Sequence, residues 1–233
     1  MRSGNSLSAD KELINDWDIC DLTMPLGSAT TPVPNHPRVE LTPLHTHERD
    51  GLSNTILRCS VHTGTHVDAP FHFVPDGLTM DQVPLERLIG PAWHCDLLGH
   101  PRAPITVGEL ISGGLPQDGV LSGCIAVLNS GWADDHWNSE QLYTGNPYLD
   151  PQAATWLRDQ GLLAVAVDFA VDREPPYPVH RVLLGAGIPI IENLIGLSRL
   201  PRSGFLIFAL PAKIVGGNGG GARVVALCPK DRS

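Results

Sequence analysis

His62-Thr-Gly-Thr-His-Val-Asp-Ala-Pro-Phe-His72 places three histidines and a carboxylate within eleven residues, directly after the run Asn54 to Val61. That run is apolar and β-branched enough to read as a strand, so the histidines gather at a strand's end. Neutral imidazole nitrogen and carboxylate oxygen are the ligands borderline metals prefer, and three protein ligands plus water make a catalytic centre. His66 and Asp68 are two apart, so extended backbone points both to one face, and Gly64 permits the turn that brings His62 beside them. A lone histidine is most often a satisfied core or surface residue, but four ligand-type residues at this spacing point to a metal.

Working outward, the 24 Gly and 21 Pro punctuate short apolar runs, with no internal repeat and no charge block. Further strands are expected over Trp17–Leu22, Ala92–Leu98, Cys124–Asn129, Leu162–Val167, Ile188–Ile191, Phe205–Leu210 and Arg223–Leu227, several of them as buried runs. Helices are fewer. Asp150 can cap a helix that opens with Pro151 and ends at Gly161, Thr106-Val-Gly-Glu109 fits a capping box, and Val179–Leu184 forms a third that Gly185 stops. The pattern is that of an α/β domain with mixed sheets, taken as one domain over residues 1–233. No GxGxxG follows a strand and no GxxxxGK[ST] is present; GGNGGGAR, residues 216–223, lacks the lysine and the helix of a phosphate loop and reads as a tight turn or loop.

Twenty-five acidic against sixteen basic side chains give a formal charge of −9, which repels phosphate backbones and anionic membranes and argues against nucleic acid or membrane partners. The opening MRSGNSLSADKELINDWD has no apolar run of the signal-peptide kind, and no segment approaches the roughly 20 apolar residues that span a bilayer, so a cytoplasmic protein is expected. The five cysteines are odd in number and never form CxxC, which suggests buried thiols.

The segment 62–72 also resembles the signature HxGTHxDxPxH of the metal-dependent cyclase or kynurenine formamidase family, matched by His62, Gly64, Thr65, His66, Asp68, Pro70 and His72. The resemblance continues in Asp21-Leu22-Thr23, Ser130-Gly131-Trp132, Val179-His180 and Ile190-Ile191-Glu192-Asn193. It implies a swivelling β/β/α domain, a homodimer, and one or two divalent ions, zinc or manganese. By the same resemblance His62, His66 and Asp68 would bind a first ion, Asp68 would bridge to a second completed by His180 and Glu192, and His72 would transfer protons. Trp132 is a candidate substrate contact. The chain departs from the formamidase pattern at Val33, where tryptophan-pathway formamidases place an aromatic residue, so an aryl pocket is not carried over. It also departs at Asn218, where related sequences have Asp, and at Arg173, where a Pro is common; neither is expected to touch a ligand.

The chemistry expected of such a centre is hydrolysis of a small formamide, amide, lactone or related carbonyl substrate. A divalent ion lowers the pKa of coordinated water from 15.7 to about 7 and polarises a carbonyl. A departing amine needs a proton, and an imidazole of intrinsic pKa about 6.5 can supply it, the role given to His72. Covalent catalysis is disfavoured because GxSxG is absent and Ser130 has no evident triad. Two other readings use the same residues: a metal-dependent cyclase or dehydratase of secondary metabolism, and an inactive metal-dependent ligand-binding protein.

Overall fold

The computed structural model describes residues 16–99 and 103–230; most of the opening segment read for a leader lies outside them. The expected strands recur as β1 (Trp17–Asp21), β3 (Asn54–Arg58), β5 (Ile89–Asp96), β7 (Ile125–Asn129), β9 (Ala164–Val167), β10 (Ile190–Glu192), β11 (Phe205–Pro211) and β12 (Gly219–Pro229). Joining them are β2 (Glu40–His45), β4 (His66–Asp68), β6 (Pro104–Ile105) and β8 (Tyr148–Leu149). The helices are α1 (His47–Asp50), α2 (Val107–Ser112), α3 (Trp132–His136), α4 (Gln141–Thr144), α5 (Pro151–Asp159) and α6 (Pro178–Gly185).

The main sheet runs β1-β12-β11-β5-β7-β9-β10-β4, and β12 also pairs with β4, closing seven strands into a barrel with β1 on the outside of the seam. β5, β7, β9 and β10 are parallel and the remaining pairings antiparallel, the mixed sheet expected. Strands in the parallel part alternate between two cores. Ile125, Val127, Ala164 and Ala166 face the barrel interior with Val67, Phe205, Ile207 and Val224. Ala126, Leu128, Val165 and Val167 face the helices, packing with Leu110 of α2, Ala153 and Leu157 of α5, and Leu183 of α6. Both faces are therefore dry, which is why these strands read as unbroken apolar runs.

The helix starts follow their local chemistry. The Asp150 side chain accepts from Gln152 N ahead of Pro151, and Thr106 and Glu109 form both halves of a capping box. Pro43 and Pro91 explain one strand not expected from the sequence and one displaced boundary, since proline demotes a strand reading. Among the described residues β2 pairs only with β3, in a two-stranded hairpin, and Pro91 precedes the first residue of β5 paired to β7.

One expectation is corrected. The stretch 216–223 is a turn only as far as Asn218; Gly219, Gly220 and Gly221 are strand residues paired with Asp68, Val67 and His66. A Cβ on Gly219 would fall 2.7 Å from His62 Cε1 and 2.9 Å from the Val67 carbonyl oxygen, so glycine here permits close approach of strand to strand.

Candidate active site

β4 is three residues long and sits between β10 and β12, with His66 opposite Glu192 and Asp68 opposite Ile190. Alternation sends Val67 into the barrel core while His66 and Asp68 face a cavity of about 380 Å³. Gly64, at φ 68°, makes the turn that returns His62 over β4, and its Nδ1 lies 2.7 Å from Asp68 Oδ1. His180 enters from the first turns of α6 and Glu192 from β10, so all five candidate ligands and His72 line one cavity.

The hydrogen bonds on the far side of each ring fix what the rings present to the centre. His66 Nδ1 lies 2.9 Å from the Gly64 carbonyl oxygen, which can only accept, so Nδ1 carries the proton and Nε2 faces inward. His180 Nδ1 lies 2.7 Å from Asp172 Oδ2 and is directed likewise, the pairing of acidic or carbonyl groups with imidazole typical around metal ligands. The inward His66 Nε2 is 3.3 Å from Asp68 Oδ1 and 3.9 Å from Glu192 Oε2; His180 Nε2 is 3.5 Å from Asp68 Oδ2 and 3.6 Å from Glu192 Oε1. Asp68 Oδ2 is buried without a hydrogen-bond partner. Two imidazole Nε2 atoms facing two buried carboxylates form a set that positive charge satisfies, and with Nε2 unprotonated it fits one or two divalent ions. His62, Asp68 and His72, and separately His66, Asp68 and Glu192, bring their donor atoms within 4.8 Å of one another.

The electrostatics agree. Burial works against charge on His180, but Asp172, Asp68 and Glu192 outweigh it and push its pKa up to about 10. Burial also opposes ionisation of Asp68, yet His66, His180 and His62 hold it well below the usual carboxylate range. Glu192 is raised by burial and by Asp68, and its Oε1 is anchored by the Val171 N–H at 3.0 Å. His72 differs: burial lowers it to about 4, with Asp68 opposing and the neighbouring histidines reinforcing. It is half-buried and stacks on His62 with ring centroids 4.0 Å apart.

Two sequence expectations change at this level. Trp132 is absent from the cavity wall; it packs with Met24, Ala133 and Leu142, donates from Nε1 to the Leu142 carbonyl, and lies on His136. An aromatic after a strand end had a packing role available, and at the first position of α3 Trp132 takes it. Asn218 does touch a proposed ligand: its Oδ1 lies 3.1 Å from His62 Nε2. Val33 lines the cavity together with Phe73, Tyr143, Arg173 and Tyr177, so the departures at 33 and 173 lie on the substrate side. Asp172 and Tyr143 were not singled out from sequence. Asp172 also accepts from Val179 N and His180 N, a capping pattern that the intervening Pro-Pro segment hides from a three-residue rule.

Residues 20–173 match the Cyclase family. The chain belongs to the Cyclase family. It is 30% identical over 217 residues to a kynurenine formamidase of Salinibacter ruber, covering 89% of this chain and 96% of that one. An isatin hydrolase of Roseibium aggregatum is 28% identical, with 94% of this chain and 95% of that protein covered. A solved structure described as a potential metal-dependent hydrolase with cyclase activity superposes with a TM-score of 0.74 at 27% identity, over 92% of this chain and 99% of that one.

Proposed function

We propose that this protein is a metal-dependent hydrolase that opens a non-peptide C–N bond in a small amide. The observation that carries the reading is the inward pair of His66 and His180 Nε2 atoms facing the buried carboxylates of Asp68 and Glu192. His62, His66 and Asp68 would hold one zinc or manganese ion, and Asp68, His180 and Glu192 a second. Such an ion supplies an acidified water and a polarised carbonyl. His72 is neutral at pH 7, so it can accept a proton from the attacking water and return it to the departing nitrogen. Asp172 keeps the His180 ring turned, and Val171 N–H keeps Glu192 turned, so neither ligand has to reorganise.

The relatives supply two substrate types, the open-chain formamide of a kynurenine formamidase and the cyclic amide of an isatin hydrolase. The wall of Phe73, Tyr143 and Tyr177 suits a flat ring of either kind, while Val33 leaves one side without an aromatic partner. Among the described residues the hairpin β2–β3 pairs only with itself, and it exposes Leu41, Leu44, Leu52, Ile56 and Leu57, which supports a homodimer as the working form. The test is metal analysis of the protein as purified, then a screen of formamides, cyclic imides and lactones with the ion found. Hydrolysis of a formamide or cyclic amide that a chelator abolishes is expected. A metal-free protein that gains no activity with zinc or manganese would sink the reading.

A further inference from the structure

We infer that the Tyr143 hydroxyl is a catalytic hydrogen-bond donor that directs its proton to the oxygen of the carbonyl under attack. The inference rests on the hydrolase reading above. Tyr143 is in α4 and lines the cavity that His62, His66 and Glu192 also line.

The direction of its proton follows from one amide. Asn193, directly after Glu192, is fully buried and held at φ 60°, a left-handed conformation that side chains other than Gly adopt at a cost. Its backbone carbonyl accepts from Thr65 Oγ1 at 2.6 Å, and its side-chain Nδ2 lies 3.2 Å from the Gly64 carbonyl oxygen and 3.3 Å from Tyr143 Oη. A carbonyl oxygen can only accept, so the end of the amide facing Gly64 must be the NH₂. That same NH₂ faces Tyr143. The phenol oxygen is therefore the acceptor, and its own proton points away from Asn193. Among the described residues no hydrogen bond takes that proton.

Burial, then the charge of Glu192, push the phenol well above its ordinary pKa, so it stays a neutral donor across the working range. An O–H held by its neighbour, in a site sheltered from water, is what stabilises charge developing on a carbonyl oxygen. It does so without reorganisation at the moment of reaction, and loss of one such donor costs about 10²- to 10³-fold in kcat. Asn193 ties this donor to Gly64, whose carbonyl also fixes the His66 ring, so donor and ligand loop are positioned by one side chain.

Tyr143→Phe keeps the ring packed against the Met24, Ala133 and Leu142 cluster and removes the hydroxyl alone. The variant should match the wild type in thermal midpoint and metal content. On the amide the wild type hydrolyses, kcat should fall about 10²-fold or more with KM nearly unchanged. Benzoate, a carboxylate like the hydrolysis product, should bind the metal-loaded wild type roughly tenfold more tightly than the variant in calorimetry, because the lost hydrogen bond is to a charged acceptor. Unchanged kcat, or a rise in KM with kcat intact, overturns the donor role; a lost ion or lowered thermal midpoint reassigns Tyr143 to structure. A wild type that hydrolyses no amide refutes the hydrolase reading by itself. Benzoate then decides, and binding to the wild type no better than to Tyr143→Phe overturns the donor.

Discussion

His72 differs from His180 because burial strips its charge while that of His180 is held by carboxylates. His72→Ala should lower kcat by roughly 10²- to 10⁴-fold with the ion retained, whereas His66→Ala should deplete the ion as well; metal analysis beside steady-state kinetics separates the two. Since the donor atoms of His72, His62 and Asp68 lie within 4.8 Å of one another, loss of metal from His72→Ala would make it a ligand instead. Asp168 is the second residue whose environment has a measurable consequence. It is buried and accepts from Ser130 N, Ser130 Oγ and Trp132 N, yet burial outweighs these donors and raises its pKa to about 6. Between about pH 4 and pH 6 the folded protein then binds more protons than the unfolded chain, so stability should fall as pH rises through that window. Asp168→Asn should flatten this part of a plot of thermal midpoint against pH. A slope equal to the wild type's would show that other groups carry it.

At the scale of elements, the site depends on a strand of three residues held on both sides. β10 brings Glu192 opposite His66, and Gly219 of β12 allows the other neighbour to close against β4. Gly219→Ala would press a methyl group on the His62 ring and the Val67 carbonyl. Overpacking of this kind costs about 1–3 kcal/mol, and here it should also displace His62. A lower thermal midpoint together with weakened metal retention is the expected result, measured by differential scanning fluorimetry and metal analysis. Full metal occupancy in a merely destabilised variant would show that β4 shifts and His62 does not. The triple glycine looked like a loop because glycine is depleted from strands in general; its strand role exists only where a neighbour must come this close.

For the whole molecule, the hairpin β2–β3 has no third strand among the described residues, and two-stranded hairpins are marginal alone in water. Its exposed leucines include the directly opposed pair Leu41 and Leu57. Light scattering in dilute solution should give twice the chain mass, and Leu41→Ser with Leu57→Ser should shift it toward the monomer. A wild-type monomer would rule out the second copy as the hairpin's partner. Among the described residues no helix is long and apolar enough to cross a membrane.

Much of this was legible along the chain because it is local. Period and composition marked strands buried on both faces, Asp150 and Thr106 marked helix starts, and the spacing of His66 and Asp68 placed both on one face of a strand. Convergence was legible only in part: His180 and Glu192 entered through the resemblance, since nothing in their own neighbourhoods points to a distant carboxylate. The sheet register set Glu192 opposite His66 and α6 brought His180 to Asp68, each across more than a hundred residues. The removal of Trp132 from the wall, the strand role of Gly219–Gly221, the turning of His180 by Asp172 and the orientation of Tyr143 by Asn193 were decided by the tertiary structure alone. Each depends on which group lies within a few ångströms after folding, and hydrogen-bond direction and steric approach act only at that range.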